Sequence, residues 1–228
     1  MKKNWNGFAK KSIQERLEFV KSQALTSMEA QESLEQNENL SIAVADQLSE
    51  NVVGTFSLPY SVVPEVLVNG QEYTVPYVTE EPSVVAAASF ASKIIKRAGG
   101  FTAQVHQRQM IGQVALYQVP DRDKACQAIL SQKAELLEQA NQAYPSIVKR
   151  GGGARELTVE KISGEADFLV VYLHVDTQEA MGANMLNTML EALKPSLEAL
   201  SQGQSLMGIL SNYATDSLVT ATCRIAFR

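Results

Sequence analysis

The sequence predicts an α+β chain with a small βαββαβ domain inserted into a larger one, and three observations predict it. A helical first stretch gives way to a valine-rich extended region. Between residues 104 and 212 the pattern runs strand, helix, strand, strand, helix, strand, which is the ferredoxin-like order. Within it, Phe168 to Val175 is a nearly continuous apolar run, the signature of a central strand.

The elements follow in order. Residues 12 to 50 read as helical. Ser12 and Glu15 form a capping box, and Ile13, Leu17, Val20 and Ala24 recur at helical spacing. A second helix is expected after Ser27 and a third from Ile42 to Leu48. This region has no titratable cluster and reads as scaffold or oligomer surface. Residues 52 to 78 read as extended, with Val52, Val53, Phe56, Leu58, Val62, Val63, Val66 and Val68 as strand formers. Asn69-Gly70 marks a hairpin turn. Pro82 opens a small-residue helix that stops at Gly99-Gly100. Lys93, Lys96 and Arg97 fall in its last turns and read as a solvated end.

In the inserted part, the first strand lies near Met110 to Val119, and Asp121 caps the next helix. Cys126, Ile129, Leu130, Leu137 and Ala140 are expected on one face of that helix. Leu157, Val159 and Ile162 mark the second strand. Met185, Leu186, Met189, Leu190, Leu193, Leu197 and Leu200 stripe the second helix, where Pro195 should kink or break it. Leu206 to Leu210 supplies the last strand, and Val219 to Arg228 reads as a strand without a closing turn.

Composition narrows the function. The chain has 228 residues, 45% hydrophobic content and a net charge of −5, which argues against a nonspecific nucleic-acid binder. No run of about 18 apolar residues predicts a membrane span. Basic residues at the start are followed by no apolar core, so no secretory leader is expected. The two cysteines, Cys126 and Cys223, read as buried thiols of a reducing cytoplasm. His106 and His174 have no partners at ligand spacing, so no metal site is expected, and His174 reads as a satisfied, partly buried side chain. Trp5 reads as a packing anchor.

The chemistry concentrates at Glu80-Glu81-Pro82-Ser83. Carboxyls converging on a helix N-terminus can serve acid–base work if their pKa is tuned, and they can equally be caps. A carboxylate at a cap tends to stay ionised, so a proton donor there needs something to raise its pKa. No Gly-x-Gly-x-x-Gly follows a strand, which excludes a Rossmann site. Met181-Gly182-Ala183-Asn184 instead joins the central strand to the second helix; its small residues would let a pyrophosphate meet the helix end, and they can equally be an ordinary cap. The residues alone also leave open a small-molecule-sensing domain.

Five ordered blocks carry a resemblance over nearly the whole chain. They are Glu50 to Pro59, Thr79 to Ser89, Gly151-Gly152-Gly153-Ala154-Arg155, Glu179 to Met189 and Ile209-Leu210-Ser211-Asn212. Together they resemble the class II 3-hydroxy-3-methylglutaryl-CoA reductases, close to the streptococcal type. The resemblance implies hydride transfer between NADPH or NADH and HMG-CoA, giving mevalonate and CoA, or the reverse. It implies a large substrate-binding α/β domain over 1–103, a nicotinamide-binding small domain over 104–212, and a return to the large domain over 213–228.

It carries the catalytic glutamate onto Glu81. Substrate contacts fall on Glu50, Asn51, Gly54 and Ser83, and cofactor contacts on Glu179, Met181, Gly182, Ala183, Asn184 and Asn212. Glu179 stands where the family usually has aspartate. Tyr144, Lys149 and Arg150 before the triglycine favour NADP over NAD. The family's catalytic Lys, Asp and His segments are not found in this chain. The resemblance therefore implies an incomplete large domain, a truncated N-terminal part inactive alone, and a homodimer or higher homo-oligomer for the full protein. A non-catalytic, cofactor-binding remnant is the alternative.

Overall fold

The computed structural model describes residues 4–23, 27–36, 40–164 and 167–226. It is a mixed α/β chain of two compact units, 1–103 with 221–228, and 104–220.

In the first unit a 3-10 turn at Phe8–Lys10 leads into α1 (Ile13–Ser22), α2 (Met28–Gln36) and α3 (Ile42–Leu48). The Ser12–Glu15 capping box forms in both directions and starts α1. Ala24, expected on its stripe, lies outside the described residues. Trp5 is 2% exposed and packs edge-on against Phe8 and Phe19, an anchor as expected.

Residues 52 to 59 are not extended strand, as expected, but irregular. Asn51 turns the chain at φ 57, Gly54 and Pro59 interrupt the run, and pairing begins only at Tyr60. There β1 (Tyr60–Val68) and β2 (Gln71–Val78) form an antiparallel hairpin. Its turn has Asn69 at φ 50 and Gly70 at φ 80, the two positive angles a type I′ turn demands.

α4 (Pro82–Arg97) packs on β1. Lys96 is not a solvated end: it bridges Glu65 at 2.8 Å and Glu72 at 2.7 Å across the hairpin, and its hydrogen bond to Glu65, then that to Glu72, hold its pKa up. Lys93 and Arg97 stay exposed.

β3 (Thr102–Val105) pairs with β8 (Val219–Thr222) in a two-stranded sheet. The expected long final strand is thus short. Residues 223–226 are irregular, and Phe227 and Arg228 lie outside the described residues. Cys223 is exposed there, against the expectation of a buried thiol, while Cys126 is half-buried.

The second unit holds β4 (Gln109–Tyr117), α5 (Arg122–Ser131), α6 (Lys133–Ala143), α7 (Pro145–Lys149), β5 (Gly153–Ile162), β6 (Phe168–Asp176), α8 (Ala183–Ser201) and β7 (Gln204–Leu210). The sheet order is β5-β6-β4-β7, with every neighbouring pair antiparallel. Asp121 caps α5 through the Lys124 amide at 3.0 Å. The single helix expected next is three, broken at Gln132 and at Pro145.

Leu130 does not share the buried face: it is 43% exposed while Ile129 is fully buried. Adjacent helical residues point about 100° apart, so only one of the two can face the sheet. The core lies between the helices and one sheet face, with Leu169, Val171, Leu173 and Val175 of β6 meeting the Met185–Leu197 stripe of α8. α8 runs unbroken through Pro195. Gln139 of α6 donates to the Ala192 carbonyl at 2.8 Å and accepts from the Ser196 hydroxyl at 2.9 Å, supplying polar partners around the proline.

This packing separates two neighbouring kinds of leucine. Leu190→Ala should destabilise the second unit by about 2–5 kcal/mol, and Leu130→Ala by under about 0.5 kcal/mol. Urea unfolding followed by circular dichroism measures both; equal losses would contradict the face assignment.

Candidate functional site

The sequence-predicted residues gather in three places. The first is the N-terminus of α4. Glu81 is its N-cap, with the side chain accepting from the Ser83 amide at 3.2 Å and from the Ser83 hydroxyl at 2.7 Å. Its own amide donates to Thr79 Oγ1 at 3.1 Å. Pro82 at the first helical position fixes the backbone for this arrangement. The Ser83 hydroxyl, then the Ser83 amide, hold the Glu81 carboxyl below its ordinary value. In this geometry Glu81 is a carboxylate that accepts hydrogen bonds. Ala86 and Ala87 on the same helix are exposed, leaving room beside it.

The second place is an open groove of about 440 Å³ built wholly from residues 40–57. Glu50, Asn51 and Gly54 line it, and Val53 and Phe56 stand fully or nearly fully exposed beside them. The volume is in the range that holds small ligands. Glu81 and Ser83 do not line this groove, so the structure keeps the two predicted substrate groups as separate features.

The third place is one end of the second unit's sheet. Strand register assembles it. Asp176, the last residue of β6, pairs with Gln109 at the start of β4 and with Gly153 at the start of β5. Leu210, the last residue of β7, pairs with Gly112 near the start of β4. Four chain segments therefore meet there: the entry to β4, the triglycine, the 177–182 turn into α8, and the segment after β7.

Gly182 caps α8 at φ 90, and a Cβ there would lie 2.4 Å from the Thr177 methyl. Both facts require glycine before any ligand is considered. Gly152 is similar, since its Cβ would lie 2.4 Å from the Asp176 carbonyl oxygen.

The α8 N-terminus has no side-chain cap and no acidic residue in its first turn, while Met181 and Asn184 are exposed beside it. Amides there keep donors free for an anionic ligand. Asn212 is exposed on the neighbouring segment. Lys149 and Arg150 are exposed at the end of α7, next to the triglycine, whereas Tyr144 is half-buried against the core.

Sequence reasoning missed two contributors here, and the partner of a third. Arg108 pairs with Glu179 at 2.7 Å across the mouth of the turn. Asn187, within a recognised block, accepts from the Leu210 amide at 3.0 Å and ties the end of β7 to α8. His174 is satisfied and partly buried as expected, and its partner is Asp216 at 2.6 Å. Each depends on strand register or long-range contact, which no local motif signals. Among the described residues no group of His, Cys, Asp and Glu could hold a metal ion, and no helix is long and apolar enough to cross a membrane.

Comparison with known proteins places these features in context. A family profile described as hydroxymethylglutaryl-coenzyme A reductase matches residues 12–228. A 3-hydroxy-3-methylglutaryl-coenzyme A reductase of Archaeoglobus fulgidus is 39% identical over 219 residues, covering 94% of this chain and 49% of that protein. A probable 3-hydroxy-3-methylglutaryl-coenzyme A reductase of Borreliella burgdorferi is 28% identical, covering 78% of this chain and 40% of that protein.

Among solved structures, the class II 3-hydroxy-3-methylglutaryl-CoA reductase from Streptococcus pneumoniae bound to NADPH in open conformations is 83% identical with a TM-score of 0.94. It covers 98% of this chain and 60% of that one. A second structure of the Streptococcus pneumoniae reductase is 82% identical with the same TM-score. The chain spans about half the length of the curated relatives it matches.

The Glu81–Ser83 pair gives a titration with a defined sign. A depressed carboxyl contributes cap stability that is present above the unfolded glutamate value and lost as pH falls through the folded one. Carbon-detected NMR titration should place the Glu81 midpoint below that of an ordinary glutamate, and Ser83→Ala should move it upward. An unchanged midpoint in Ser83→Ala would remove the hydroxyl as its cause.

Proposed function

The chain belongs to the hydroxymethylglutaryl-coenzyme A reductase family, and on that premise we propose that it contributes to hydride transfer between NADPH and HMG-CoA, giving mevalonate and CoA. The observation that carries the reading is the 83% identity, over 98% of this chain, to a class II reductase structure bound to NADPH. The first unit is the substrate-binding part and the second the nicotinamide-binding part. The strand order 4-1-3-2 within βαββαβ supports a ferredoxin-like reading of the second unit.

The residues fit a dinucleotide. Uncapped amides of α8 face the Met181–Asn184 turn, and Gly182 presents no side chain. Lys149 and Arg150 beside the triglycine support NADPH over NADH, since a 2′-phosphate favours cationic neighbours. Bound there, the reduced nicotinamide supplies the hydride.

The chain's own residues then act on the substrate. Hydride arrival at the thioester carbon builds negative charge on its oxygen, which must be polarised or protonated. Glu81 is the group for this task, provided it holds a proton. The Ser83 hydroxyl bonded to Glu81 opposes that, because it stabilises the carboxylate. When Ser83 turns to the hydroxymethylglutaryl group, its hydroxyl leaves Glu81 and the carboxyl returns towards its ordinary value, from which burial under the bound substrate would raise it further. Substrate binding thereby prepares the acid. Glu50, Asn51 and Gly54 would hold the thioester end in the 40–57 groove. The exposed Val53 and Phe56 support a homo-oligomer in which they are covered.

A chimera tests the reading. Residues 1–228 would replace the matched part of the Streptococcus pneumoniae reductase, with loss of reduced-nicotinamide absorbance followed in the presence of HMG-CoA. The chimera should turn over, and Glu81→Gln should lower kcat by about 10²–10⁴. Turnover unaffected by Glu81→Gln would overturn the role given to this glutamate.

A further inference from the structure

Both histidines of the chain bond to the segment that follows β7. His174 Nδ1 lies 2.6 Å from Asp216 Oδ2, and His106 Nε2 lies 2.8 Å from Thr220 Oγ1. His174 stands on β6 on the sheet face away from the helices, because its neighbours Leu173 and Val175 point into the core. Its side chain is 14% exposed and that of Asp216 is 26% exposed. A carboxylate only accepts, so His174 Nδ1 carries the proton. In the neutral ring this leaves Nε2 to accept from the Thr158 hydroxyl at 3.4 Å.

The segment that carries Asn212 is a loop with two feet. One foot is Ser211, whose amide donates to the Ile111 carbonyl at 2.8 Å and whose hydroxyl accepts from the Tyr213 amide at 3.1 Å. The other foot is Asp216. Its carbonyl accepts from the Gln109 amide at 2.9 Å, and its side chain accepts from His174. Asn212 and Tyr213 stand exposed between the feet. Two residues past His174, the same strand β6 ends at Asp176 and enters the turn to Gly182. One strand thus sets the position of the α8 turn directly and of the Asn212 loop through a side chain.

We propose that His174 is a positioning residue of the dinucleotide site, acting through Asp216 to hold the Asn212 loop in register with the N-terminus of α8. The inference rests on the dinucleotide reading of this sheet end. It adds a residue that neither the Met181–Asn184 turn nor the Asn212 block contains. A partly buried, hydrogen-bonded carboxylate is worth more than an exposed pair, so loss of the contact should loosen the loop and cost affinity.

NADPH titration of the purified 228-residue chain by calorimetry tests it, with thermal melts to follow the fold. Asn212→Ala and His174→Leu should each weaken binding about tenfold. The double variant should be no weaker than either alone, because His174 acts through Asn212. Asp216→Asn, which keeps an acceptor for Nδ1–H, should stay within about twofold of the unsubstituted chain. Asp216→Ala should reproduce the loss and serves if His174→Leu lowers the melting temperature.

Unchanged binding in both His174→Leu and Asp216→Ala, or losses that simply add in the double variant, would overturn the inference and leave the site reading intact. Met181→Glu places a negative charge beside the α8 amides. Binding unaffected by both Met181→Glu and Asn212→Ala would move the cofactor elsewhere, and the inference would fall with the reading.

Discussion

The end of β6 is the constraint on which the second unit depends. Asp176 is paired on both sides, to Gln109 and to Gly153, and its carbonyl oxygen occupies the space that a side chain at residue 152 would need. That close approach makes the triglycine a packing requirement first. The same strand end then sends the chain through Thr177, whose side chain is buried and bars a Cβ at Gly182. Steric exclusion at these two glycines fixes where the α8 amides point, and the adjoining loops inherit their places from that. The family's glycine motifs are therefore explained by backbone packing before any cofactor contact is invoked.

The first unit is arranged differently. Its apolar surface is less completely used: α4 buries only Ser92 among its described residues, and Phe90 is 68% exposed. Its candidate catalytic group lies at a helix end where a single serine contributes both an amide and a hydroxyl to one carboxylate. Those two bonds stabilise the helix cap and the ionised acid together, so the features that hold Glu81 in place also oppose its protonation. In the proposed role as proton donor, Glu81 would have to lose the Ser83 hydroxyl as a partner, since that bond favours the ionised form.

Much of the fold was legible because it rests on local physics. The Ser12–Glu15 box, the Asn69-Gly70 turn, the Pro82 start of α4 and the α8 stripe are all set by residues within a turn or two of one another. The order of strands and helices in the second unit was legible for the same reason. The misses have long-range or rotational causes. Val52 to Leu58 have strand-forming side chains, but regular pairing starts only at Tyr60. Leu130 lost its expected place to Ile129, since one helix face cannot hold both. Pro195 did not break α8: the helix runs on to Ser201, and Gln139 on another helix bonds the neighbouring Ala192 carbonyl and Ser196 hydroxyl. The candidate cofactor residues were legible as motifs, whereas Arg108, His174 and Asp216 came into view only with the register of β4, β6 and the segment after β7.

The proposed dinucleotide site lies at one sheet end of the second unit. Backbone amide shifts of the isotopically labelled chain, recorded with and without NADPH, test it most directly. The largest changes should cluster at 151–154, 179–185 and 211–216, while residues 40–57 stay unchanged. Changes centred on the 40–57 groove, or at the opposite sheet end near Ser163, would contradict it.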